Sequence, residues 1–202
     1  MIKELNYLEK KGCFYQIILK ITPQRFLIQI NKKKVKKLKT KIQVGFNRKY
    51  DHTNFSIKKS LDKNKIGKLE KIIITSRDPS PPSISYLKSS GGIFRDMMIH
   101  DFDLCRFYLG KDEIDQVHAF TSSFEPFYKR IKDHELAVVT MKSKRGVICV
   151  ITNSRHCSFG YDQRVELFGK NGMLISGNKK ENSTELFNST QTNSQKPFLN
   201  FF

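Results

Sequence analysis

The chain has no GxGxxG, no CxxC and no apolar run long enough to cross a bilayer. The first absence removes the glycine turn on which a dinucleotide pyrophosphate sits, so no segment announces a nucleotide-binding domain. The four cysteines, Cys13, Cys105, Cys149 and Cys157, are scattered. Without CxxC spacing they form no zinc or disulfide framework, and a reducing cytoplasm is the expectation. The third absence excludes a membrane-spanning helix. A cleavable signal peptide is unsupported, because the N-terminus carries Glu4 and Glu9 and only a short apolar run, Ile17–Leu19. Acidic residues are scarce as well, 19 against 37 Lys and Arg, for a formal charge of +18.

That charge is unevenly spread. Residues 1–42 hold twelve Lys/Arg and two Glu, a net of +10, and leave +8 for the other 160. The extreme is NKKKVKKLK at Asn31–Lys39. Such a run can attract phosphate backbones or anionic lipid, or it can be the solvated face of a helix with Val35 and Leu38 inward. No aromatic-interleaved basic platform accompanies it. Lys outnumbers Arg 28 to 9, whereas base readout leans on Arg, so nucleic acid is not the expected partner.

What the sequence does have is Ser89–Gly110, SSGGIFRDMMIHDFDLCRFYLG. Gly91 and Gly92 break the chain, and from Ile93 apolar residues surround almost the whole of a predicted helix over Phe94–Leu109. One stripe is exempt: Asp96, His100 and Asp103, at i, i+4 and i+7, share a narrow sector. Two carboxylates and an imidazole on an apolar helix are costly to bury unless they pair or face a polar cavity. The stripe reads either as ion-paired side chains or as the wall of a site. A facial metal site finds no third-element ligand cluster to support it. Asp103 reads as structural, held to Arg106 at i+3 or to a neighbouring element.

The remaining pattern predicts an α+β fold. Thr53–Lys63 suits a helix stopped by Asn64 and Gly67, and isoleucine-rich Leu69–Ser76 a strand. Asp78–Ser83, with three prolines, cannot be regular and suits a binding loop. Strands are expected at Gln116–Ser122, Glu135–Met141, Val147–Asn153, Arg164–Phe168 and Met173–Ser176, with a further one at Thr184–Asn188. Lys144–Gly146 and Lys170–Gly172 read as hairpin turns, Glu125–Asp133 as a polar loop, and Asn178–Gln195 as exposed edge or loop. Residues 31–40 suit a helix and Ile42–Phe46 a strand. The sum is a mostly antiparallel sheet with helices on one face.

GGIFRDMMIHDFDLCRFYLG resembles the signature helix of the glucose–fructose oxidoreductase/inositol dehydrogenase (Gfo/Idh/MocA) family, and most of all its inositol 2-dehydrogenase branch. VGFNRKYD at Val44–Asp51, ITSRDPSPPSISY at Ile74–Tyr86 and GYDQRVELFGKNGML at Gly160–Leu174, with the ISGN that follows, agree. The similarity therefore runs from about Val44 to the C-terminus. It implies oxidation of a secondary alcohol on a cyclic polyol, with NAD or NADP taking the hydride. Asp96 and His100 then correspond to the family's catalytic Asp and His. Histidine suits the base because its ordinary pKa of ~6.5 lies near working pH. Asp96 would hydrogen-bond imidazole or a substrate hydroxyl. Asn47, Arg48, Asp78 and Tyr161 are the positions carried over as polyol contacts. The family's substrate-domain sheet also serves as an oligomer interface.

The resemblance exposes a gap. The family opens with a Rossmann domain and a Glu-Lys-Pro motif, and neither is in this sequence. Lys20, in LKITP, stands near the expected place, but its neighbours do not match and it takes no role. The expectation is residues 1–42 as a basic remnant of the nucleotide-binding domain or an extension replacing it. Residues 43–202 form the substrate and oligomerisation domain, truncated at its C-terminus. Such a chain is expected to be inactive alone. The alternatives are a catalytically silent interaction module and a basic nucleic-acid-binding protein.

Overall fold

The computed structural model describes residues 45–178, 185–187 and 192–194. The chain divides between Phe46 and Asn47, and the elements that build the site all belong to the second unit. The predicted helix over residues 31–40 and most of the predicted strand Ile42–Phe46 lie outside the described residues; Gly45 and Phe46 themselves are not in a strand.

The sheet assembles around β1 (Leu69–Arg77), whose LEKIIITSR run is rich in β-branched residues that suit a pleated, half-buried surface. It pairs in parallel with β4 (Ile148–Ser154) and antiparallel with β5 (Asp162–Gly169). With β2 (Ile114–Ser122), β3 (Leu136–Ser143) and β6 (Gly172–Ser176) it forms a six-stranded sheet in the order β2-β3-β4-β1-β5-β6. All pairings except β1/β4 are antiparallel, so the expected α+β, mostly antiparallel architecture is what the chain adopts. The β3–β4 turn closes through Gly146, at φ +89°, whose N–H bonds Ser143 O at 2.9 Å. Because β1 and β4 run in the same direction, they end together, with Ser76 beside Asn153.

Helices cover one face. α1 (His52–Asp62) starts where Asp51 accepts from the N–H groups of Thr53 and Asn54, and it buries Ile57. α4 (Met98–Leu109) lies across β1 and β4. Its Met98, Leu104, Cys105 and Tyr108 pack with Ile72, Ile74, Val139, Ile151 and Leu167 in one core. Full burial of each such large aliphatic side chain contributes about 2 kcal/mol before entropy is counted. Cys105, Cys149 and Cys157 are free thiols, all buried. On the opposite face of the sheet, Phe120, Val138, Ile148, Phe168, Met173 and Ile175 are exposed.

Three local expectations need correction. The predicted helix is interrupted: α3 (Ile93–Asp96) ends at Met97, and α4 restarts at Met98. An unforeseen helix, α2 (Ile84–Ser90), fills the approach to it, capped by Ser83 and stopped by Gly91 at φ 95°. The segment Glu125–Asp133 holds α5 (Pro126–Ile131), where Pro126 supplies the fixed φ of a first helical residue. The further strand expected at Thr184–Asn188 is β7 (Glu185–Phe187), which pairs with β8 (Thr192–Ser194). Among the described residues no helix is long and apolar enough to cross a membrane.

Candidate active site

Where β1 ends, the backbone turns away from the sheet and a cleft of about 490 Å³ opens. Asn47 and Arg48 reach it from the 3-10 turn Arg48–Tyr50, Asp78 from the loop after β1, and Tyr161 and Gln163 from the start of β5. All four residues expected to contact a polyol thus line one cavity. Asp96 and His100 are not in its lining. They stand beside it, within the electrostatic reach of the same groups: Arg48, Asp96 and Asp101 act on His100, and Arg155, Arg48, Asp96 and Asp101 act on Asp78.

The floor next to the cleft is organised by Asp101, a residue the sequence reading passed over. It is completely buried on α4. Its Oδ1 accepts from Arg48 Nη1 and from Ser76 Oγ at 2.7 Å, and its Oδ2 accepts from Asn153 Nδ2 at 2.9 Å. Arg48 also donates to Ser76 Oγ at 2.9 Å. The adjacent ends of the two parallel strands therefore hold a buried carboxylate, and the carboxylate holds the arginine at the cleft. A signal was available: Asp101 lies off the polar stripe, on the face shared with Leu104 and Cys105, where an unpaired carboxylate is untenable. Asp103 is structural as expected, its carboxylate 3.8 Å from Lys49 Nζ in the neighbouring 3-10 turn.

Asp96 is gripped from two sides. Tyr86 donates its hydroxyl to Oδ1, and Arg155 Nη1 lies 2.6 Å from Oδ2. Burial, the Asp96 hydrogen bond and the carboxylate charge push the Tyr86 phenol up to about 12. His100 is half-buried, and burial first, then the Arg48 guanidinium, lower its pKa from 6.5 against the pull of Asp101, Asp96 and Asp103. The lowering favours the unprotonated imidazole, the form a base requires.

Asp78 contrasts with these groups. Its carboxyl has no hydrogen-bond or ion-pair partner among the described residues, and burial raises its pKa from 3.8 despite Arg155 and Arg48 nearby. Burial, with Asp78 as neighbour, also raises the Tyr161 phenol. Next to them Asp162 is fully buried. Burial alone would raise its carboxyl, but hydrogen bonds from Arg164 and Asn178, with the Arg77 charge, bring it below 3.8. Asp162 thereby anchors the strand end that presents Tyr161 and Gln163.

The described residues do not fit a dinucleotide. The one place where paired glycines precede a helix is Gly91–Gly92, and there the Ile93 N–H is taken by Asp133 Oδ1 at 2.9 Å. A carboxylate at that position repels a pyrophosphate rather than making room for it.

Comparison with known proteins gives a consistent picture. The model of the GFO/IDH/MocA C-terminal domain matches residues 56–175. An inositol 2-dehydrogenase of Rhizobium meliloti (strain 1021) is 39% identical over 154 residues, covering 76% of this chain and 47% of the relative. A myo-inositol 2-dehydrogenase of Thermotoga maritima is 40% identical over 159 residues, 78% of this chain and 47% of its own length. Among solved structures, a myo-inositol dehydrogenase of Corynebacterium glutamicum superposes with a TM-score of 0.77 at 38% identity, over 84% of this chain and 51% of that one. A scyllo-inositol dehydrogenase of Lactobacillus casei with bound NAD(H) and scyllo-inositol gives 0.70 at 28% identity, covering 84% and 52%. The chain spans about half the length of the curated relatives it matches.

Proposed function

The chain belongs to the GFO/IDH/MocA family, and from that premise we propose that residues 43–202 are the substrate domain of an NAD-dependent, inositol 2-dehydrogenase-like oxidoreductase of the cytoplasm, acting on a secondary alcohol of a cyclic polyol. The observation that carries this reading is the setting of His100 among Asp96, Asp101 and Arg48, the last of which lines the polar cleft, with burial lowering the imidazole pKa from 6.5. Oxidation of an alcohol removes the hydroxyl proton as hydride leaves the same carbon. His100 takes the proton, and the Asp96 and Asp101 carboxylates favour the imidazolium that results. Arg48, Asn47 and Tyr161 donate hydrogen bonds to polyol oxygens, and Asp78, without a partner among the described residues, accepts from a hydroxyl.

A nicotinamide acceptor would have to be held by residues outside those described. Alignment of the two reactants contributes ~7–11 kcal/mol to such reactions, so we expect the chain alone to bind a polyol weakly and not to oxidise it. The test is titration of the chain with myo-inositol by NMR, wild type against Asp78→Asn, together with NADH formation from NAD, wild type against His100→Ala. Binding weakened in the first variant supports the reading, and no binding by wild type sinks it. NADH formed by wild type and lost in His100→Ala would refute inactivity while strengthening the assignment of the base.

The open face of the sheet favours a second, compatible role as an oligomerisation surface. Phe120 is 78% exposed and Ile175 63%, on the two edge strands of a face that also exposes Val138, Ile148, Phe168 and Met173 and that no described element covers. A homo-oligomer through this face predicts that Phe120→Lys with Ile175→Lys lowers the sedimenting mass to that of one chain. A wild type that already sediments as one chain removes this role.

A further inference from the structure

We propose that Arg155 is a positioning residue that holds the Asp96 carboxylate, and the helical turn carrying it, in place beside His100; the proposal rests on the reading of Asp96 and His100 as a working pair. The two residues do not share an unbroken helix. Asp96 closes α3, Met97 stands at φ −105° and ψ −60°, and the His100 N–H reaches back to Met97 O at 3.3 Å. The i, i+4 spacing therefore does not by itself fix where Asp96 points. Something outside the helix must.

Arg155 enters directly after β4, 1% exposed, with its N–H bonded to Glu135 O at 2.9 Å. Its Nη1 lies 2.6 Å from Asp96 Oδ2 and its Nη2 3.4 Å from Asp133 Oδ2. The other oxygen of Asp133 accepts from Ile93 N–H at 2.9 Å and from His134 N–H at 2.7 Å. One guanidinium and its second carboxylate thus grip both ends of a four-residue helix, Asp133 at the first residue and Arg155 at the last. Core stability alone is a poor account of this cluster. Buried ion clusters can often be replaced by apolar side chains without loss, and Arg155 Nε is buried with no partner among the described residues. A buried cation kept with an orphan donor fits a site that needs the Asp96 carboxylate at one point.

Among the described residues, the charged groups acting on His100 are Arg48 from the 3-10 turn, Asp101 and Asp103 on its own helix, and Asp96 on α3. Asp78, in the loop after β1, faces Asp96 and Arg155. Arg155 offsets the charge of Asp96. Without it the carboxylate attracts the imidazolium more strongly, and His100 takes up its proton at higher pH.

The experiment follows the His100 titration by NMR in the full chain, for wild type, Arg155→Met, Asp96→Asn and the double variant, with a thermal melt of each. The expected result is an upward shift in Arg155→Met and no further shift when that change is added to Asp96→Asn. A folded Arg155→Met with an unmoved midpoint, or the same shift in the Asp96→Asn background, overturns the proposal. Arg155→Lys guards against a variant that fails to fold, because an ammonium keeps the charge but serves one carboxylate at a time. There the proposal expects disturbed amide signals over Ile93–Asp96 with the His100 midpoint close to wild type, because the charge beside Asp96 is kept. Undisturbed amide signals overturn it, and so does loss of folding in both variants, which would assign Arg155 to the core alone. These readouts need no polyol. Failure of wild type to bind myo-inositol would sink the functional reading and leave the coupling to be judged on the titrations.

Discussion

The floor of the cleft and its entrance treat the same chemical group in opposite ways. On the floor, Asp101 is wholly buried and accepts from a guanidinium, a hydroxyl and an amide. At the entrance, Asp78 lies at the end of the adjoining strand with no partner among the described residues, and its pKa is raised by burial. A carboxylate whose two oxygens are both taken by buried donors holds structure together and is closed to a ligand. One kept short of water and short of donors is ready for a ligand that brings hydroxyl groups, and the exchange costs the protein no bond of its own. The contrast separates the residues that build the cleft from those that use it.

Breaking the floor should have the largest effect. Asp101→Ala strands the Arg48 guanidinium, the Ser76 hydroxyl and the Asn153 amide together, and removal of one member of a buried pair costs about 3–5 kcal/mol. The expected outcome is a large drop in the urea midpoint, with polyol binding lost as Arg48 drifts. An unfolding free energy within about 1 kcal/mol of wild type would show that the Asp101 cluster is dispensable and would erase the contrast.

Breaking the entrance should leave the fold intact. Asp78→Asn is expected to weaken myo-inositol binding on the order of ten-fold, the scale of one hydrogen bond to a charged group. Its stability moves the other way. A carboxyl whose folded pKa lies above 3.8 makes the protein less stable as pH rises through that interval. The amide removes this loss, so Asp78→Asn should match or exceed wild type in stability at pH 7, and the advantage should vanish below 3.8. An Asp78→Asn that is less stable at pH 7 would mean the carboxylate has a structural partner after all.

The smallest effect concerns His100, whose folded pKa lies below 6.5. As pH falls through 6.5 toward the folded value, the unfolded chain takes up the proton first and stability declines; below the folded value the curve is flat again. His100→Gln should remove that slope while leaving the urea midpoint at pH 8 nearly unchanged. A slope of opposite sign would mean that the carboxylates outweigh burial and that the imidazole is charged at neutral pH.

Much of this architecture could be read from the chain alone. The Ile-rich strand, the alternating strands around Lys144–Gly146 and Lys170–Gly172, and the helix after Asp51 all depend on neighbours within a few residues. α2 carries ordinary start and stop signals in Ser83 and Gly91, but its seven residues between the Asp78–Ser83 loop and Gly91 are too few for a helical period to register. α5 is only six residues long, and Pro126 was its one start signal. The break at Met97 has no sequence marker, as neither glycine nor proline stands there.

For the site, the sequence determined which residue types lie on which face: an apolar helix with one polar stripe, a proline loop after a strand, and tyrosine and glutamine at the start of another. Local periodicity and turn chemistry suffice for that. The tertiary structure decided which carboxylates are paired and which are left open. Asp101 meets Arg48 across 53 positions and Asn153 across 52, and Arg155 meets Asp96 across 59. Separations of that size are bridged only when the sheet brings β1 and β4 side by side and α4 crosses their ends. The charge state and freedom of each group follow from that crossing, because burial and neighbouring charge, rather than residue type, set what an aspartate or a histidine can do.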